Sequence, residues 1–281
     1  MAELILNADD YGHSPIVNSS IEHLAVARRI SSFTVMANFG GAAEVTKVAA
    51  KLGGKFSIGL HVNLTEGRPV LKTSQVPSLV RPNGEFLPAA AFVRRLLIGR
   101  IRFRELYSEI LAQIGAIQEW LGAFSHFDSH HHVHRFLPVT KAIIAAATVS
   151  GAPRRIRTSR RYLADARGDK ASWLRLWCRH LRTHPAALLG LYFKARQEYA
   201  RRVSHFTSPD YLLTTVPAIR PVPVTHASDC WARVFQRLGE NRYELNCHPG
   251  RNQAEDTMLR SSSFERALRE VRLVSYYAVS D

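Results

Sequence analysis

Three cysteines, Cys178, Cys230 and Cys247, are all the thiols in 281 residues, and no two are spaced as C-x-x-C. So sparse and odd a set excludes a disulfide framework and argues against a thiolate metal site. Apolar runs are short. None approaches the roughly 20 residues that cross a bilayer, and Met1 and Ala2 lead into ELILNADD with no basic region or cleavage site, so the expected location is cytoplasmic. Internal repeats and low-complexity linkers are missing too. Apolar residues at 46% and charged residues at 22% are ordinary for a folded globular chain, which excludes disorder as the organising feature. Acidic residues are few beside basic ones, 23 against 38, leaving a formal net charge of +15.

The basic excess is concentrated between Arg154 and Arg202, in RRIRTSRR, RGDK, RLWCRHLR and KARQEYARR. No nucleic-acid signature with stacking aromatics accompanies it. No specific nucleic-acid partner is therefore expected, and an anionic membrane surface at the inner face ranks ahead of one. A solvated basic face with no partner is the plainer alternative.

Short apolar runs bounded by turn residues read as strands: ELILNADD, ISSFTVMAN, FSIGLHVNL, FSHFDSH, RRIRTSR, PDYLLTT, RYELNCHPG and VRLVSYYAV. SPIVNSSIEHLAVARR, AAEVTKVAAKLG, FRELYSEILAQIGAIQEWLG and LPVTKAIIAAATVSG carry apolar residues at three- and four-residue spacing and read as helices. Strand alternating with helix implies parallel strands joined by crossover helices, hence an α/β fold. About eight such units favour a TIM-barrel-like (β/α) barrel over a doubly wound sheet, for which roughly 250 residues suffice. One domain over 1–281 is expected. RPNGEF marks a turn inside a long loop, and the amphipathic WLRLWCRHLR and LLGLYFKARQEYARR place an Arg-rich helical insertion or cap at about 165–202.

The active site of a parallel barrel lies where its strands finish, so the residues ending each run are the informative ones. They are polar: Asn7, Asp9 and Asp10; His61 and Asn63; Asp128, His130 and His132; Asn246 and His248. Period-two alternation puts Gly59, His61 and Asn63 on one face of their strand. It likewise groups Asp128, His130, His132 and His134, and sets Glu244, Asn246 and His248 opposite Cys247, whose sulfur should point away from the site. The HHHVH cluster is either a metal or proton-transfer site or a solvated polar loop. Asp9 and Asp10 are adjacent and would point oppositely on a regular strand. A turn through Tyr11 and Gly12 would let both reach one site, one carboxylate binding a metal and the other accepting a proton. A helix cap is the rival reading, but Ser14 already offers one. One aspartate and two histidines from separate strands form a facial set for a divalent ion.

LILNADDYG, IGLHVNLTEGRPV, HFDSHHHVH and ELNCHPG, in this order and spacing, resemble the YdjC-like carbohydrate deacetylases, a group that includes chitooligosaccharide and hopanoid-associated deacetylases. The resemblance covers nearly the whole chain. It implies a TIM-barrel-like fold and hydrolysis of the N-acetyl group of an N-acetylglucosamine unit, on an oligosaccharide or a lipid-linked glycan. By position in the motifs it implies Asp10, His61 and His130 as ligands of one divalent metal ion, magnesium first and zinc second. Asp9 corresponds to the general base and His248 to a proton donor. His132 is left as an outer partner or alternative ligand, and Asp128 as the group orienting a ligand histidine. The Arg-rich segment departs from the shortest members and bears on the substrate, not the chemistry. A metal-dependent phosphoesterase would use similar residues, as would a non-haem iron oxygenase, which gives no task to Asp9 or His248. A non-catalytic sugar- or lipid-binding protein is the third alternative.

Overall fold

The computed structural model describes residues 1–54, 56–164, 198, 200–201, 203–215 and 231–279. The Arg-rich insertion expected at about 165–202 lies almost wholly outside the described residues. Among the described residues, eight strands are β1 (Glu3–Tyr11), β2 (Ser32–Val35), β3 (Ser57–Val62), β4 (Phe127–Ser129), β5 (Arg161–Ala164), β6 (Tyr211–Thr215), β7 (Arg242–Cys247) and β8 (Arg272–Leu273). Their order is β4-β3-β2-β1-β7-β6-β5, with β8 against β1, and every pair is parallel. Single parallel bridges, Phe127 to Ile156 and Arg155 to Thr207, tie β4 toward the other end of the sheet. The sheet curls as a TIM-barrel-like α/β fold.

RRIRTSR, expected as a strand, contributes only these bridges, and the strand proper begins at Arg161. VRLVSYYAV gives two strand residues and then a 3₁₀ turn, Tyr276–Ala278.

Helices cover the outside of the sheet: α1 (Pro15–Val26), α2 (Val45–Leu52), α3 (Ala89–Leu97), α4 (Phe103–Leu121), α5 (Leu137–Ser150), α6 (Gln253–Arg260) and α7 (Ser262–Leu268). α1 begins where the sequence places a cap, with Ser14 Oγ accepting from Val17 N at 3.4 Å and proline in the first turn. α4 buries Leu106, Ile110, Ile114 and Ile117, a three- and four-residue stripe. Each such side chain contributes about 1.5–3 kcal/mol on burial.

β1 shows how the two faces divide. Leu4, Leu6 and Ala8 pack into the main core beneath the helices, whereas Ile5 packs with Tyr276 and Val279 in a separate small cluster. Asn7 and Asp9 continue the Ile5 face, so the polar residues are delivered to the inside of the curl. Gly59 of β3 lies on the His61 face, where a Cβ would collide with the His126 ring. That ring is stacked on Tyr276, with centroids 3.4 Å apart.

Candidate metal site

Asp9 and Asp10 reach one region through a bulge, not through the turn expected at Tyr11 and Gly12. β1 runs on to Tyr11, and between the pairs Ala8–Phe33 and Tyr11–Val35 two β1 residues oppose the single residue Thr34. Asp10 takes φ 75°, the left-handed region that a non-glycine residue enters only when its surroundings hold it there. The extra residue turns Asp10 toward β3 and β4.

Asp10 Oδ1 stands 3.2 Å from His61 Nε2 and 3.0 Å from His130 Nδ1, all three side chains being nearly inaccessible. Each of the three offers a donor atom within 4.8 Å of the others. The far nitrogen of each histidine faces a carboxylate. His61 Nδ1 lies 2.7 Å from Asp128 Oδ1, and His130 Nε2 lies 2.7 Å from Glu66 Oε2. Outer carboxylates of this kind fix the tautomer and ring orientation of metal-binding histidines. Burial alone would depress His61, but the Asp128 charge and hydrogen bonds to Asp10 and Asp128 push it up to about 10. Where acidic groups keep a proton on a buried imidazole, a divalent cation can take that proton's place. The donor chemistry therefore fits a metal ion at Asp10, His61 and His130.

Asp9 is engaged elsewhere. Arg157 Nη1 and Nη2 donate to its two carboxylate oxygens at 2.9 and 2.7 Å, and Asn7 and Asn246 add bonds at 2.8 and 3.2 Å. Burial would raise the Asp9 carboxyl, yet Arg157, with His61 and His248 nearby, holds it far below the usual carboxylate range. Arg157 also reaches Asp128 at 2.8 Å and Glu244 at 2.8 Å. One fully buried guanidinium thus pairs with three buried carboxylates and offsets part of a negative charge that would otherwise be prohibitively costly. Asp9, His61 and Asp128 form a second metal-capable group among the described residues, but Arg157 already sits between its two carboxylates.

His248 is half-exposed at the rim. Its Nε2 is 3.8 Å from Asp9 Oδ2, and its Nδ1 is 3.6 Å from Glu255 Oε2. Burial lowers the imidazole, but Glu255 and Asp9 outweigh it and raise the pKa. Cys247 is buried, with Sγ donating to the Asn7 carbonyl at 3.4 Å, and burial pushes its thiol well up.

Alternation fails after Ser129. β4 ends there and residues 130–135 form a 3₁₀ segment in which His131 and His132 both take φ 53°. His132 and His134 therefore do not continue the Asp128 face, and neither belongs to a metal-capable group among the described residues. Burial and nearby arginines hold His132 down to about 3, and His134 is tied through Nδ1 to Ser129 Oγ at 2.6 Å.

Arg157, Glu66 and Arg251 were not picked out by sequence reasoning. Arg157 is one of twelve arginines between Arg154 and Arg202; the signal for it is that three converging acids, Asp9, Asp128 and Glu244, require a buried cation. Glu66 is placed by Asn63, whose Oδ1 accepts from Thr65 N and Glu66 N at 3.1 Å while its Nδ2 donates to Glu66 O at 2.7 Å. Arg251 spans Asp10 Oδ2 and Glu66 Oε1, each at 3.0 Å. Glu66→Gln replaces the carboxylate facing His130 with a neutral amide, and the loss of that negative charge beside the site weakens cation binding. Metal affinity, read by chelator competition, is expected to fall about 10- to 100-fold; an unchanged affinity would show that His130 needs no such support.

A carbohydrate deacetylase of Homo sapiens is 36% identical to the chain over 148 residues, 51% of this chain and 44% of that protein. A chitooligosaccharide deacetylase of Serratia marcescens is 34% identical over 154 residues, 54% of this chain and 58% of its own length. A carbohydrate deacetylase of Geobacillus stearothermophilus is 36% identical over 157 residues, 56% and 60% respectively. The chain thus matches about half the length of these curated relatives. A crystal structure from Enterococcus faecalis V583, described as a candidate cellobiose-phosphate cleavage protein, superposes with a TM-score of 0.72 at 21% identity, covering 98% of each chain. That likeness establishes the fold. The model of the YdjC-like protein family matches residues 3–277, and the chain belongs to that family.

Proposed function

We propose that the protein is a metal-dependent amide hydrolase that removes the N-acetyl group of an N-acetylglucosamine-type sugar, carried on an oligosaccharide or a lipid-linked glycan. The observation that carries this reading is the convergence of Asp10, His61 and His130 beside Asp9, held ionised by Arg157, and His248, whose imidazole Asp9 and Glu255 favour in its charged form. The deacetylase names of the relatives point the same way. Two imidazoles and one carboxylate suit zinc or another transition ion better than magnesium, the reverse of the order expected from the sequence. A divalent ion held there would polarise the amide carbonyl and lower the pKa of water.

The chain's own residues supply the proton transfers. Asp9 is kept ionised and immobile by Arg157, which suits it to orient a water and accept its proton. His248, held toward its charged form and within reach of solvent, donates to the departing nitrogen.

The sign of the pH dependence follows from His248. A raised pKa means the donor form is present below the folded value and is lost as pH rises through it, so the rate should fall on the alkaline side, above the ordinary imidazole range. His248→Gln should remove that limb and lower kcat by about 10²-fold or more; a limb that persists assigns the donor elsewhere. The reading itself is tested by incubating the metal-loaded protein with N-acetylated chitooligosaccharides, amino-sugar glycolipids and sugar phosphates. A mass loss of one acetyl group with acetate release is expected. Phosphate release instead would make the protein a phosphoesterase, and neither product from any of them would favour a binding protein.

A further inference from the structure

The connection between α3 and α4 carries apolar side chains that the core does not use. In FVRRLLIGRIRFRE, residues 92–105, Phe92, Leu96, Ile101 and Leu106 just beyond are buried and anchor the segment. Leu97, Ile98 and Phe103 are instead 46, 58 and 47% exposed. Gly99 takes φ 70° at the turn, and its N–H and that of Arg100 close onto Leu96 and Arg95 at 3.2 and 2.8 Å, so the three apolar side chains are presented by a fixed backbone. Around them stand Arg94, Arg95, Arg100, Arg102 and Arg104, and between Glu85 and Glu105 the sequence has no acidic residue. Arg102 pairs with the buried Glu105 at 3.2 Å; the other four have no carboxylate partner among the described residues.

The patch has a definite place relative to the site. A crossover helix starts at the end of the sheet where the strands finish, which is the catalytic end. α4 is fastened there by its own polar side chains. Glu105 accepts from Ser78 N at 2.6 Å, Glu109 from Val70 N at 2.9 Å, and Gln113 from Asn63 N at 3.0 Å, all in the loop that also carries Glu66.

We propose that residues 94–104 form a docking surface for an anionic bilayer, with Leu97, Ile98 and Phe103 entering the headgroup boundary and the arginines meeting lipid phosphates. No helix among the described residues is long and apolar enough to cross a membrane, so contact of this kind would be peripheral. Exposed apolar side chains among arginines, four of which have no carboxylate partner among the described residues, match what a negatively charged interface requires. A soluble polyanion would use the arginines and leave the apolar residues without a role. The surface is separate from the metal site and does not depend on the reaction assigned to it.

The test is sedimentation of the full chain with vesicles of phosphatidylcholine alone and of phosphatidylcholine mixed with phosphatidylglycerol. Binding only to the mixed vesicles, weakened by salt, is expected. R94Q/R95Q/R100Q/R104Q should weaken it at least about tenfold. L97S/I98S/F103S, which leaves the charge unchanged, should also weaken it severalfold or more. R28Q/R260Q/R266Q/R269Q removes the same charge from exposed positions elsewhere and should bind nearly as the wild type does. All the changes are at exposed or half-exposed residues, and unchanged circular dichroism verifies the fold. The proposal fails if the wild type ignores mixed vesicles at low salt, or if the control variant loses as much binding as the patch variant. It also fails if the apolar triple variant binds normally, which would leave only attraction to polyanions, nucleic acid included.

Discussion

Alanine at Asp10, His61 or His130 is expected to abolish bound divalent metal and hydrolysis together, as elemental analysis and acetate release would show in parallel. The three come from different segments, the β1 bulge, the end of β3 and the first residue after β4, and meet nowhere else in the chain. Removing one leaves two donors, too few to hold an ion in a site that must also keep positions open for water and substrate. The loss should not be confused with unfolding. In His61→Ala, Asp128 still accepts from Thr34 at 3.0 Å and pairs with Arg157 at 2.8 Å, so its charge is not orphaned in the core. Full metal occupancy in His130→Ala would count against this ligand set and return attention to His132, whose buried Nδ1 has no hydrogen-bond partner among the described residues.

Much of this arrangement was legible in the sequence because parallel strands covered by helices read as apolar runs, and the residues ending them are polar only for a reason. β1, β3 and β7 obey that rule, and alternation sets the His61 face of β3 and the Glu244 and Asn246 positions of β7 correctly. Asp128 does hold a nitrogen of His61, as a residue of its position should.

The rule fails where the backbone leaves the strand without a glycine or proline to announce it. Nothing in HHHVH marks two successive left-handed residues, so alternation projects His132 and His134 along a strand that stops at Ser129. Nor does NADD reveal a bulge. That follows from the pairing of Asp9 and Asp10 against Thr34, a tertiary fact. Arg157 was illegible for a different reason. A buried arginine and a solvated one look alike in a basic stretch, and only the summed charge of Asp9, Asp128 and Glu244 distinguishes them. Burial pushes Glu244 up to about 7 even so, a measure of how little negative charge this interior tolerates beyond what Arg157 offsets.

Asp9→Asn is expected to keep the metal while losing about 10²- to 10⁴-fold in kcat, with a smaller change in KM. The amide preserves the shape of the carboxylate and one acceptor oxygen for Arg157, which retains Asp128 and Glu244 as anionic partners, so the interior should stay folded. What disappears is the proton acceptor. Its strength is the point at issue, because Arg157 depresses the basicity of Asp9 in the same contact that fixes its position. Changing Arg157 itself is the less useful experiment. Arg157→Met would strand three buried carboxylates and cost about 3–5 kcal/mol of stability, mixing misfolding with any effect on rate. The decisive comparison is between the two neighbours. If Asp9→Asn loses the ion and Asp10→Asn retains it, their roles are reversed, and the cation must occupy the group formed by Asp9, His61 and Asp128. That outcome would require Arg157 to withdraw from contacts of 2.7 and 2.8 Å with both carboxylates on metal binding. The geometry opposes such a withdrawal, since the guanidinium is completely buried and is held a third time by Glu244 at 2.8 Å.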